Sequence, residues 1–112
     1  SQYTVEFSTT TAPLILQAIA TKHGIDPIPF IATAKCESQF VPQQSKIKAR
    51  GPNGRENSWG IFQINLPYHP DVTKEQAMDP WYAAEWSAKQ FKAGNADIWT
   101  CHRLFKKGAL SP

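Results

Sequence analysis

The sequence predicts a mostly α domain of about five helices with a small irregular or β insertion around residues 58–65. Three observations lead there. Apolar residues recur at helical spacing over most of the chain. Pro or Asp opens these stretches and Gly follows several of them. A single polar stretch, PQQSKIKARGPNGRENS at 42–58, interrupts them with turn residues.

In chain order, residues 1–10 are polar and β-leaning and read as a loose arm. A first helix starts near Pro13, with Leu14, Ile15, Ala18 and Ile19 as its apolar face, and Gly24 stops it. Asp26-Pro27 opens a second, with Ile28, Ile31, Ala32 and Phe40 expected inside and Pro42 marking its end. After the 42–58 loop, Trp59 to Asn65 (WGIFQIN) is apolar and short; periodicity leaves strand and helical turn both open. Thr73 and Gln76 have the spacing of a capping box. Asp79-Pro80 opens a longer helix ending near Gly94, with Trp81, Ala84, Ala88 and Phe91 as its inner stripe. Asp97 is placed to cap a last helix carrying Ile98, Cys101, His102 and Phe105 on one face, with Gly108 after it.

A chain of 112 residues supports one domain and one core, so residues 1–112 are read as a single unit. Hydrophobic residues make up 41% and charged residues 19%, the balance of a globular protein. No apolar run approaches the roughly 20 residues that span a bilayer, so membrane insertion is not expected. The chain begins at Ser1 with no leader pattern, which reads as a processed protein or a domain of a longer one. Net charge is +3, which suits an anionic partner, yet no groove-entering motif accompanies the scattered Lys and Arg, and nucleic acid is not the expected partner. Cys36 and Cys101 allow one intrachain pairing; two separate thiols are the alternative in a reducing compartment. Neither has zinc-ligand neighbours, and His69 with Asp71 lacks a third ligand, so no metal or other cofactor is implied. No Ser lies at a strand-to-helix elbow, which argues against a Ser/His/acid triad.

Glu37 is the residue most suited to chemistry. It lies in the last turns of the second helix, with Phe30 and Ala34 behind it and Phe40 beyond. Apolar neighbours disfavour the charged carboxylate and raise its pKa, as a general acid working near neutral pH requires. The spacing alone also fits a solvated Glu near a helix end.

A second segment adds to this. Cys36-Glu37-Ser38-Gln39-Phe40 with Pro42 is followed by Ser58-Trp59-Gly60-Ile61-Phe62-Gln63-Ile64-Asn65, and then by Asp79-Pro80 with an Ala-rich helix from Trp81 to Phe91. This ordered set resembles the lysozyme-like superfamily, specifically soluble lytic transglycosylases and goose-type lysozymes, over about residues 14–107. The resemblance implies a lysozyme-like fold. It also implies cleavage of the MurNAc–GlcNAc β-1,4 bond of peptidoglycan, with Glu37 protonating the glycosidic oxygen and then acting as base.

In that reading Ser58 and Gln63 line the cleft beside Glu37, holding its carboxyl or the sugar's N-acetyl group. Gly60 admits substrate close to the backbone, and Asn65, Trp59, Tyr68, Tyr82 and Trp99 are further binding candidates. The family's late Tyr-Asn pair is replaced here by Ile98-Trp99-Thr100-Cys101-His102-Arg103. Asn65 stands where goose-type lysozymes have an aspartate, which leaves Glu56 and Asp71 as possible second carboxylates.

With one well-supported acid, intramolecular transglycosylation to 1,6-anhydro-MurNAc is expected ahead of hydrolysis. A non-catalytic glycan-binding domain is the remaining alternative. The expected setting is secreted, periplasmic or otherwise cell-envelope or phage-particle associated, as a monomer, with Cys36 and Cys101 joined in a disulfide.

Overall fold

A computed structural model describes residues 5–109. Part of the predicted arm, residues 1–4, lies outside the described residues. Among the described residues the fold has five α-helices and one small antiparallel sheet: α1 (Ala12–His23), α2 (Pro27–Ser38), β1 (Ser58–Trp59), β2 (Ile64–Asn65), α3 (Lys74–Met78), α4 (Pro80–Lys92) and α5 (Thr100–Lys106). The mostly helical expectation and the five helices agree with this. Of the two readings of 59–65 the strand holds, at the ends of the segment: Ser58 pairs with Asn65 and Trp59 with Ile64, around a tight, non-helical turn at Gly60–Gln63.

Local signals set most boundaries. Pro13 occupies the first turn of α1, and left-handed Gly24 closes it by donating its N–H to Ala20 and Thr21. Asp26 caps α2 through Ile28 N–H. Thr73 and Gln76 form both bonds of the capping box on α3. Asp79 caps α4 through the N–H groups of Trp81 and Tyr82.

Four expectations need correction. Helix α2 stops at Ser38, four positions before Pro42, because Gln39 and Phe40 both take left-handed backbone, with φ of 55° and 65°. Its inner stripe is Phe30, Thr33, Ala34 and Ser38, while Ile28 is 65% exposed. The helix carries two adjacent apolar stripes, and composition did not distinguish the core-facing one. On α4, Ala83, Ala84, Trp86, Ser87 and Ala88 face inward, and Trp81 is 41% exposed. Asp97 does not cap α5. It sits in a 3₁₀ turn at Ala96–Ile98 and instead holds His102 Nδ1 and Lys106 Nζ, each at 2.8 Å.

Small residues let the helices approach. Ala12, Ala20, Ala34, Ala83, Ala84 and Ala88 are all buried where α1, α2 and α4 meet. Phe30, Phe62, Phe91 and Trp99 fill the centre, with ring centroids 5.0 to 5.7 Å apart. Trp99 Nε1 donates to the Phe62 carbonyl at 2.7 Å, satisfying the one polar atom of a buried indole. The 42–58 loop is organised by buried Gln44. Its amide nitrogen donates to the Pro52 carbonyl at 2.7 Å, and its oxygen accepts from Asn53 and Arg55.

A disulfide joins Cys36 on α2 to Cys101 on α5. It closes a span of 65 residues, which the chain-entropy model values at about 4 kcal/mol. None of the described helices is long and apolar enough to cross a membrane.

Gly60 fixes how the hairpin sits on α3. Its φ is +83°, and a Cβ there would lie 1.8 Å from the Ala77 carbonyl oxygen. Gly60→Ala is therefore predicted to cost at least about 2 kcal/mol, from the left-handed penalty and the backbone clash together. Urea denaturation checks this; an unchanged midpoint would show that the hairpin can move off α3 freely.

Candidate functional site

Helix α2 delivers Glu37 to the site because Phe30, Ala34 and Glu37 fall on one stripe, at helical intervals of four and three. The stripe is buried up to its last turn, and Glu37 ends it as a half-buried side chain. Ser38 fastens the helix end to the hairpin: its Oγ donates to the Ile61 carbonyl at 2.6 Å and is also 3.1 Å from the Ala34 carbonyl. The chain leaves the helix end through left-handed backbone at Gln39 and Phe40. Non-glycine residues in that region cost roughly 1 kcal/mol or more each, which the buried Phe40 side chain helps to offset.

The other wall is α5. The Cys101 N–H, in the first turn of that helix, donates to Glu37 Oε2 at 3.4 Å. First-turn N–H groups lack a partner within the helix, and no side chain caps α5, so the carboxyl takes one of them. Cys101 thus meets α2 twice, through its sulfur at Cys36 and through its backbone at Glu37.

These surroundings push the Glu37 pKa from 4.5 up to about 7. Loss of hydration is the largest cause. The Cys101 N–H pulls the other way, the Glu56 carboxyl adds to the rise, and the Arg103 guanidinium opposes it. A carboxyl poised there is close to half protonated at neutral pH and can both give and take a proton.

The remaining predicted site residues divide. Ser58 is buried on β1, and its Oγ donates to Glu56 Oε1 at 2.8 Å instead of holding the Glu37 carboxyl. Gln63 bridges backbone, donating to the carbonyls of Gln43 and Gly60, both at 2.9 Å. Gly60 is explained by the close approach of Ala77, not by room for a ligand. Asn65 has its Oδ1 buried with no protein partner among the described residues. Tyr68 is 80% exposed on a 3₁₀ turn at Leu66–Tyr68, and Tyr82 is exposed on the first turn of α4. Trp99 is a core residue, 4% exposed, and offers no ring to solvent. Trp59 is buried too, with its Nε1 on Asn57 Oδ1 and Lys74 Nζ over its ring. Asp71 accepts from Trp86 Nε1 at 3.3 Å; the acid whose field reaches Glu37 is Glu56.

Sequence reasoning passed over Ser38, the Cys101 N–H and Arg103. Ser38 stood in the motif beside Glu37, so its signal was present. A backbone donor leaves no mark in a sequence, and Arg103 is 66 positions from Glu37, brought near only by the packing of α5 on α2. No cluster of three or more potential metal ligands occurs among the described residues. Comparison with family models, curated proteins and solved structures gives no match.

A carboxyl whose pKa is higher folded than unfolded holds its proton in the native state over pH values where the unfolded chain has released it. Stability contributed this way is complete below about pH 4.5, declines as pH rises to about 7, and is gone above that. The change corresponds to about 3 kcal/mol. Glu37→Gln should lack this decline and be the more stable protein at pH 8. Urea unfolding of both proteins from pH 4 to 8 checks this, and parallel curves would mean Glu37 is not desolvated.

Proposed function

We propose that this chain is a secreted or cell-envelope enzyme with a lysozyme-like fold that cleaves the glycan strands of peptidoglycan. Glu37 serves as the acid and then as the base. The observation that carries the reading is one carboxyl with its pKa raised to about 7 by burial, at the end of a helix that faces a short β-hairpin. Such a group can protonate the oxygen of a glycosidic bond at neutral pH and, once ionised, recover a proton from the attacking hydroxyl.

The disulfide is compatible with an oxidising compartment. The net charge of +3 favours association with an anionic polymer such as the bacterial wall.

For the reaction type we favour transglycosylation, in which the substrate's own 6-hydroxyl attacks and the sugar is released as a 1,6-anhydro end. One carboxyl suffices for that route. A second reading is hydrolysis, and a specific observation favours it: Glu56 is held by buried Ser58 and acts on Glu37 through its charge. A second carboxylate across from the acid is what activation of a water requires.

Purified peptidoglycan and mass spectrometry of the released muropeptides test both readings. Glu37→Gln should lower release by a factor on the order of 10² or more while leaving the fold intact. Near wild-type release by that variant would end the assignment of Glu37. Products should carry 1,6-anhydro-MurNAc, lighter by one water than the hydrolysis product, and Glu56→Gln should remain largely active. Reducing-end MurNAc as the main product, together with an inactive Glu56→Gln, would establish the hydrolase instead.

A further inference from the structure

On the side of α2 next to the core stripe runs a second stripe, Ile28, Ala32 and Cys36, one residue per helical turn. It forms the wall of an apolar groove of about 920 Å³, lined also by Pro13, Ile31, Phe40 and Phe105. Glu37 does not line this groove. Cys36 does, and it is partly exposed, whereas its partner Cys101 is buried. Of the two half-cystines, Cys36 is therefore the one on the groove side and Cys101 the one enclosed by the protein.

We propose that Cys36 is a thiol–disulfide exchange site, reached through this groove, and that the disulfide is a redox lock on the site of Glu37. The co-reactant is a dithiol reductant, small or carried on a protein. Its thiolate attacks Cys36 Sγ. A mixed disulfide forms there, and the Cys36–Cys101 bond breaks with its electron pair going to Cys101 Sγ, which takes up a proton. The second thiolate of the reductant then attacks its own bonded sulfur and closes a cyclic disulfide. Cys36 leaves as a thiolate and is protonated in turn. Two electrons pass from the dithiol to the protein.

Reduction reaches Glu37 because of how α5 is held. With only seven residues, α5 is too short to be stable alone. The polar bonds of its own side chains run back to Asp97 and Thr100: His102, Arg103 and Lys106 to Asp97, and Arg103 to Thr100. They keep residues 97–106 together as a unit without fastening it to α2. Trp99, bonded to the Phe62 carbonyl in the core, anchors that unit at one end. What then still holds the unit is the packing of α5 on α2 and the contact of His102 with Phe91, ring centroids 5.1 Å apart; the lock requires this packing to yield once the sulfur bond opens, so that α5 swings about Trp99 while the core stays packed. The Cys101 N–H then leaves Glu37, water enters, and Arg103 moves away while Glu56 stays on the hairpin side. Cys36 and Cys101 are in this sense positioning residues for Glu37.

The inference rests on Glu37 being the working acid, so the experiment carries one measurement that needs no substrate. The protein is incubated with dithiothreitol without denaturant. Thiols are counted, far-UV circular dichroism is recorded, and the Glu37 carboxyl is titrated by ¹³C NMR in oxidised and reduced forms. Muropeptide release is followed in parallel.

Two thiols should appear while the helical signal persists. The Glu37 midpoint should fall by about one pH unit or more, since lost desolvation outweighs the lost N–H. Release at pH 7 should drop tenfold or more and return on reoxidation. Cys36→Ser with Cys101→Ser should match the reduced form in both titration and release. The lock is overturned if no thiols appear without denaturant, if reduction abolishes the helical signal, or if the reduced, folded protein keeps the oxidised midpoint. An oxidised protein that releases nothing, with the midpoint shift intact, would sink the peptidoglycan reading and leave the lock standing.

Discussion

One carboxyl group taken out of water constrains much of this small domain. Burying Glu37 costs free energy that an exposed Glu would not incur, and the protein bears it in three places at once. Helix α2 presents it on the core stripe after Phe30 and Ala34; the hairpin is pinned beside it by Ser38; and α5 closes over it with a backbone N–H. Each wall depends on a different kind of force. The α2 stripe is held by apolar packing, the hairpin by a short hydrogen bond, and α5 by its packing on α2 reinforced by a covalent bond. Without any one of them water would reach the carboxyl and its pKa would move back toward the ordinary range.

The covalent wall follows from size. A domain this small buries limited apolar surface. Its last helix has seven residues, and its N-terminus has no side-chain cap. Such a helix depends wholly on its tertiary partners, and the disulfide adds a covalent link to its packing on α2. Placing the bond at Cys36, next to Glu37, makes the element that stabilises the fold the same one that shapes the site. This economy couples stability to the chemical environment of the acid, a coupling that a disulfide elsewhere in the chain would not create.

The polar residues around the hairpin serve structure and electrostatics together. Ser58 orients Glu56, Gln63 closes the turn, and Gly60 lets the hairpin seat against the Ala77 carbonyl. Residues that a motif groups together thus divide by what they touch. Some brace the hairpin, and Glu56 alone among them projects a charge that Glu37 senses. Asp71, nearby in sequence and of the same chemistry, is turned toward Trp86 instead. The distinction depends on where the loop folds back, which is a matter of tertiary geometry.

The sequence by itself determined most of the helix starts and stops, because Asp26, Asp79, the Thr73–Gln76 pair and Gly24 act through bonds to neighbours two to four residues away, and Pro27 and Pro80 through their own fixed φ. It also marked Glu37 as the candidate, through its apolar helical neighbours Phe30 and Ala34 together with the ordered motifs that follow it, although spacing alone fitted a solvated Glu as well. What it did not decide was which of two apolar stripes on α2 faces the core, since Ile28 and Phe30 are equally apolar and only the partner helices choose between them. Nor did it reveal that Trp99 is buried, that Ser58 serves Glu56, or that a backbone N–H at Cys101 completes the site. Those depend on residues more than 35 positions apart being brought together, as with Trp99 on Phe62 and Cys101 on Glu37, or on a loop folding back on itself. Local bonding is written in local sequence; the closure of α5 over α2 depends on the whole chain having folded.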